Sequence, residues 1–301
     1  MNPAYLKFRF QICLQKSISN KMKKVSQALS LILIIWGCKQ SPPPPVVIDD
    51  LAYRNGLNVH FSGRDWTVKT YENSMWGPGP NFFSGNENDI TIDAQGYLHM
   101  KIVKRDNKWM STELIGKDRL GYGRYIFTLE GDMDKLPENV VLGLFTWDDN
   151  SFFSEANSEV DIEIGKWGNA QDQGTLQYGV QPINFGILYP ERMNRPIYFA
   201  GKMNGVTTHE FLWSPDSIVW KSYSGDKVQS AQQFAYWKFG KNNPARSKAE
   251  NGQSSAAIVI PKPGNNTNAR FNFWINTWIS PGPSDGKEQE LIIRKFQYFR
   301  L

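Results

Sequence analysis

At 301 residues the chain is long enough for one large or two modest domains and can bury a substantial core. Its 25 Gly, 17 Pro and 14% aromatic residues suit short strands joined by tight turns better than long helices. The formal charge of +5 belongs to residues 1–37, which hold six Lys/Arg and no acid; from Cys38 onward 28 basic residues face 29 acidic ones, which argues against a nucleic-acid or anionic-membrane partner for the rest of the chain.

The first readable feature is Lys23-Lys24, then the apolar run Ala28 to Trp36, then Gly37-Cys38. A positive region, a short apolar region and a small residue before the cut make a secretory signal. The run is well short of the ~20 apolar residues of a spanning helix. Ile35-Trp36-Gly37-Cys38 resembles a bacterial lipobox, which implies cleavage before Cys38 and a lipid on its thiol. Residues 1–21 read as upstream sequence from an early start codon, or as an extension. Residues 1–37 are therefore expected to be extension and signal. Residues 38–52 are expected to form a tether, because Ser41-Pro42-Pro43-Pro44-Pro45 holds an extended, semi-rigid conformation. The domain proper is expected over 53–301, lipid-anchored in the cell envelope. By resemblance to lipoproteins, Lys39 after the cysteine favours the outer membrane of a Gram-negative cell. Only Cys13 and Cys38 occur, so the exported domain would carry no disulfide.

Beyond Tyr53 the pattern is of short β segments. Ile90–Ile92, the turn Asp93-Ala94-Gln95-Gly96 and Tyr97–Lys104 read as strand, turn, strand, with Leu98, Met100 and Ile102 on one face. Further strands are expected at Gly123–Leu129, Val140–Trp147, Glu159–Ile164, Thr175–Val180, Glu210–Trp213, Ile218–Tyr223, Arg270–Trp278 and Leu291–Phe299. The best helical candidate is short, Ala231–Phe239. There is no internal repeat and no composition break, and this spacing of strands argues an all-β, two-sheet antiparallel sandwich. His60, His99 and His209 lack the short spacings of a metal site.

Ser158-Glu159-Val160-Asp161-Ile162-Glu163 is the segment with chemistry in it. On a strand, alternate residues share a face, so Val160, Ile162 and Ile164 would enter the core while Glu159, Asp161 and Glu163 line the other side. Three carboxylates so placed raise one another's pKa. The bare string is also that of a half-buried strand with an acidic outer face, or of a carboxylate calcium site. Trp147 and Trp167 bracket it, and aromatic faces beside placed polar groups suit a saccharide. Cα atoms four residues apart on a strand lie ~13 Å apart, which leaning Glu side chains reduce to roughly 5–7 Å, spanning the retaining and touching the inverting geometry of glycoside cleavage.

The string resembles the active-site strand of glycoside hydrolase family 16, which includes licheninases, laminarinases, agarases, carrageenases and xyloglucan transglycosylases. The similarity runs from about Trp66 to the C-terminus. Gly77–Ser84, Gly121–Tyr125, Leu142–Trp147, His209–Trp213 and Asn272–Trp274 fall in the family's order. The resemblance implies a concanavalin A-like jelly roll with a sugar groove. It also implies Glu159 as nucleophile, Glu163 as general acid/base and Asp161 as the residue tuning the nucleophile. Glu113, Trp147, Gln177 and Trp274 match positions near the groove in relatives, and Trp167 joins them as a flanking aromatic. The uninterrupted spacing resembles licheninases and xyloglucan enzymes and favours a β-1,4-containing glucan. Glu113-Leu114-Ile115 departs from licheninases, which carry Arg two residues after that Glu.

The expected activity is thus endo-acting, retaining hydrolysis of a polysaccharide by a monomer that needs no cofactor, a structural calcium ion aside. Two alternatives stay open: a transglycosylase with the same site, and a non-catalytic surface carbohydrate-binding lipoprotein. The intact pair Glu159 and Glu163 counts against the last.

Overall fold

The computed structural model describes residues 56–172, 174–183, 189–240 and 260–301. The signal segment, Cys38, the proline tether and residues 53–55 lie outside the described residues. Those described fall within one unit, Asp49–Leu301.

Seventeen strands occur among the described residues: β1 Asn58–Phe61, β2 Arg64–Val68, β3 Tyr71–Trp76, β4 Asn81–Phe83, β5 Ile90–Ile92, β6 Leu98–Arg105, β7 Lys108–Gly116, β8 Gly123–Asp132 and β9 Val140–Trp147. They continue as β10 Val160–Ile164, β11 Leu176–Val180, β12 Met193–Asn194, β13 Asn204–Trp213, β14 Ser217–Ser224, β15 Gln233–Gly240, β16 Asn268–Ile275 and β17 Gln289–Arg300. One sheet runs β1–β2–β7–β16–β9–β10–β11–β12. The other runs β5–β6–β17–β8–β13–β14–β15. The β6–β7 hairpin hydrogen-bonds across from one to the other, and β3 and β4 form a fringe in which β4 meets β7 in parallel. The all-β sandwich expected from the sequence is therefore the fold.

Alternation along each strand explains the two layers. Val160, Ile162 and Ile164 of β10, Leu142 and Leu144 of β9, and Phe271 and Phe273 of β16 turn into the core, where Tyr125, Phe127, Phe211 and Phe296 meet them from the second sheet. Phe271 lies 4.5 Å from the Trp66 ring and edge-on to Phe127 and Phe296. Burying each such side chain contributes about 1.5–3 kcal/mol before entropy is counted.

The helical candidate Ala231–Phe239 is corrected. Ser230–Gln232 makes one 3-10 turn, and Gln233–Gly240 is the edge strand β15. Its inward residues, Ala235, Trp237 and Phe239, recur at a spacing of two, and Trp237 stacks on Trp220 of β14 at 4.6 Å. Strand pairing and that stack outweigh a weak local preference. The strand expected over Arg270–Trp278 stops at Ile275, where the chain turns through Asn276–Ile279.

Candidate active site

β10 is positioned from both ends and from beneath. Ahead of it, Ala156, Asn157 and Ser158 all take left-handed φ, of 47°, 59° and 54°, which is costly for residues with a Cβ. Surrounding bonds hold them there: Ser158 Oγ donates to the Lys262 carbonyl at 2.7 Å and accepts from the Gly264 amide at 3.0 Å. Thr146 Oγ1 donates to the Ser158 carbonyl at 2.8 Å and accepts from the Val160 amide at 3.1 Å. From the opposite sheet, the buried Trp220 indole donates to the Asp161 carbonyl at 3.0 Å. The strand that carries the acids is thus fixed by the core itself.

Register then sets what lies beside each acid on the outer face. Glu163 pairs with Gln177 on one side and Gly143 on the other; Gly143 pairs with Asn272, and Asn272 with Glu113. In the next row Asp161 pairs with Gly179 and Phe145, and Phe145 with Arg270. The two glycines make room. A Cβ at Gly143 would collide with Asn272 Oδ1, and one at Gly179 would come within 3.1 Å of Asp161 Oδ2.

Gln177 Nε2 donates to Glu163 at 2.6 Å, and Gln181 Nε2 to Asp161 at 3.2 Å. Burial pushes the Glu163 carboxyl up to about 7, against the Gln177 hydrogen bond and the Arg195 charge. Burial also raises Glu159, with Asp161 and Glu163 repelling its charge and Arg270 opposing them; Asp161 is raised by burial and by Glu163. Glu159 and Asp161 hydrogen-bond each other, so this pair retains a proton well above the ordinary carboxylate range.

The remaining expected residues gather around this row. Trp147, half-buried at the end of β9, donates its indole to Asp149 at 2.7 Å. Trp167, itself at φ 55°, packs edge-on against Trp274 at 5.7 Å. Glu113 is on the same face by register but is 1% exposed, covered by Lys69 at 2.8 Å and Arg270 at 3.6 Å. Sequence reasoning missed Arg270, Asn272, Gln181 and Asp149. The signal for the first two was present: in β16 the apolar Ala269, Phe271, Phe273 and Ile275 alternate with Arg270, Asn272, Trp274 and Asn276. Asn272 Oδ1, packed against Gly143, and Trp167 Nε1 are buried without a hydrogen-bond partner. Among the described residues no His, Cys, Asp and Glu cluster has the geometry to hold a metal ion.

No family model matches the chain, and no curated protein matches it. Solved structures do. A pseudo β-1,3-glucanase and immunostimulatory antigen of Mycobacterium tuberculosis is 14% identical with a TM-score of 0.55, over 78% of this chain and 91% of that one. The laminarinase of Flavobacterium sp. UMI-01 is 12% identical with a TM-score of 0.55, over 81% and 99%. The laminarinase of Rhodothermus marinus is 12% identical with a TM-score of 0.54, over 81% and 94%. The chain has the glucanase jelly-roll fold. In this jelly roll the acids stand on the outer face of the β7–β16–β9–β10–β11–β12 sheet, on the third strand in from its β12 edge.

Proposed function

We propose that the protein is an endo-acting, retaining glycoside hydrolase that cleaves internal β-glycosidic bonds of a β-glucan-like polysaccharide. The observation that carries this reading is the row Glu159, Asp161, Glu163, in which Glu163 keeps its proton to about pH 7 while Glu159 shares one with Asp161. In their hydrogen bond Glu159 is the donor and Asp161 the acceptor, so attack requires that proton to pass to Asp161, which leaves Glu159 as the anion. Glu159 then attacks the anomeric carbon while Glu163 hands its proton to the departing glycosidic oxygen. The covalent glycosyl-enzyme is resolved by water, from which Glu163 takes the proton back. Trp147 and Trp167, both half-buried, offer aromatic surface that suits sugar rings, with Trp274 packed against Trp167. The resemblance to family 16 and the glucanase fold point the same way.

The test is incubation of the soluble domain with β-1,3-, β-1,4- and mixed-linkage glucans, following reducing ends and the configuration of the first product by proton NMR before mutarotation. Release of products with retained configuration is expected. Inverted product overturns the nucleophile assignment. Binding without release makes the protein a surface carbohydrate-binding lipoprotein, and longer chains formed from short acceptors make it a transglycosylase.

A further inference from the structure

Beside the acids runs a second line of charge that the proposed reaction does not consume. Lys69, which follows β2, bonds Glu113 of β7 at 2.8 Å; Glu113 lies 3.6 Å from Arg270 of β16; and Arg270 bonds Asp149, just past β9, at 2.9 Å. Lys69, Glu113 and Arg270 are all under 5% exposed. Burying such pairs has a desolvation cost that their attraction only offsets, and apolar side chains would fill the space as well. Stability alone does not account for them.

Arg270 is the member that reaches the site. Its Nε donates to Asn268 Oδ1 at 3.0 Å, its Nη2 to Asp149 Oδ2 at 2.9 Å, and its guanidinium lies 5.6 Å from the centre of the Trp147 ring. The other oxygen of Asp149 accepts the Trp147 indole N–H at 2.7 Å, closing a triangle of Arg270, Asp149 and Trp147. Arg270 stands in the row of Phe145 and Asp161, and by lying against Trp147 it leans toward the Glu159 end of β10, away from Glu163.

The charges around the acids are therefore uneven. All three acids face one another along the strand; beyond them Glu159 faces Arg270 across the sheet, whereas Glu163 faces Arg195. Arg195 is itself held by Asp172 at 2.8 Å and is 29% exposed, so water and that partner weaken it. From β11 come only the uncharged Gln177 and Gln181. Lys69 and Glu113 satisfy each other beyond Arg270, and Asp148 and Glu155 turn to the amides of Asn266 and Lys262.

We propose that Arg270 is a positioning residue that treats the two outer carboxylates differently: clamped by Glu113 and Asp149, it holds its charge toward Glu159 and fixes the Trp147 ring, and so favours the anion that Glu159 must become to attack. This rests on the reading of β10 as the active strand. It also places a guanidinium opposite Ile115, since Arg270 and Ile115 are register partners.

The test is the pH dependence of kcat/KM in Arg270→Met, Arg270→Lys and Asp149→Asn, together with titration of the carboxyl groups by 13C NMR on Glu-labelled protein. In Arg270→Met the acid limb should move up by about one pH unit while the alkaline limb stays, and KM should rise. Arg270→Lys should restore the limb but not KM, because an ammonium keeps the charge and loses the planar contact with Trp147. Asp149→Asn should move the acid limb down, since Arg270 is then less neutralised, and should also raise KM. Coincident acid limbs in wild type and Arg270→Met, or equal movement of both limbs, overturn the proposal. If the wild type cleaves no glycan, the functional reading fails by itself, and the NMR titration still decides: a Glu159 inflection unmoved in every variant overturns the role of Arg270. Should Arg270→Met not fold, Asp149→Asn carries the same decision, since an acid limb that does not move down in it overturns the proposal.

Discussion

Glu163 holds its proton to about pH 7 because it is buried, against a reference value of 4.5. Below pH 4.5 the folded and unfolded chains both carry that proton, so it costs nothing. Between 4.5 and 7 the unfolded chain releases it while the folded one does not, and stability falls as pH rises through that window. Glu163→Gln should therefore melt with the wild type at pH 4 and above it at pH 8, by on the order of 3 kcal/mol in thermal unfolding. Equal melting at both pH values would show that the carboxyl is solvated. In activity the two outer acids should fail differently. Glu159→Ala should abolish turnover, with azide giving the α-glycosyl azide from a β-linked substrate bearing a good leaving group. Glu163→Ala should still form the intermediate from an activated phenyl glycoside, and azide should then give the β product. Rates on polymer close to wild type after either change would remove the row from the mechanism.

At the scale of elements, the acids depend on what neighbouring strands leave out. Gly143 lies between Glu163 and Asn272 in one row, and its missing side chain is the space that Asn272 occupies. Gly143→Ala should displace Asn272 and lower kcat/KM at least tenfold while near-ultraviolet circular dichroism and melting change little; an unaltered kcat/KM would show that Asn272 has no part in binding. Strand alternation was legible in the sequence because it is local: Val160, Ile162 and Ile164 had to go one way and the acids the other, and Leu98, Met100 and Ile102 sit buried together as their spacing required. Which strand lies beside which is set by pairings between residues far apart in the chain. That is why Arg270, over a hundred positions from the acids, escaped notice, and why the enclosure of Glu113 by Lys69 and Arg270 was not legible. β15 was misjudged for a related reason: only the presence of Trp220 beside it makes Trp237 a strand residue.

For the molecule as a whole, we propose a lipid anchor at Cys38 from the basic segment before it, the Gly37-Cys38 junction and the proline run behind it. Cys38→Ser should abolish incorporation of a labelled fatty-acid analogue and release the protein from the membrane fraction. Unchanged partition, or a wild type that takes up no label, would remove the anchor from the proposal. The arrangement of β16 and β17 has a consequence for how such a chain is made. β16 lies between β7 and β9 in one sheet, and β17 between β6 and β8 in the other, so residues 268–300 supply an interior strand to both. While the ribosome still holds those residues, β7 and β9 lack the strand that joins them, as do β6 and β8, so each sheet is left in two parts and the core between them stays open. Folding is thus postponed until synthesis of the domain is over. A chain addressed for export would reach its translocation channel as a loose thread, with no native state to be pulled apart.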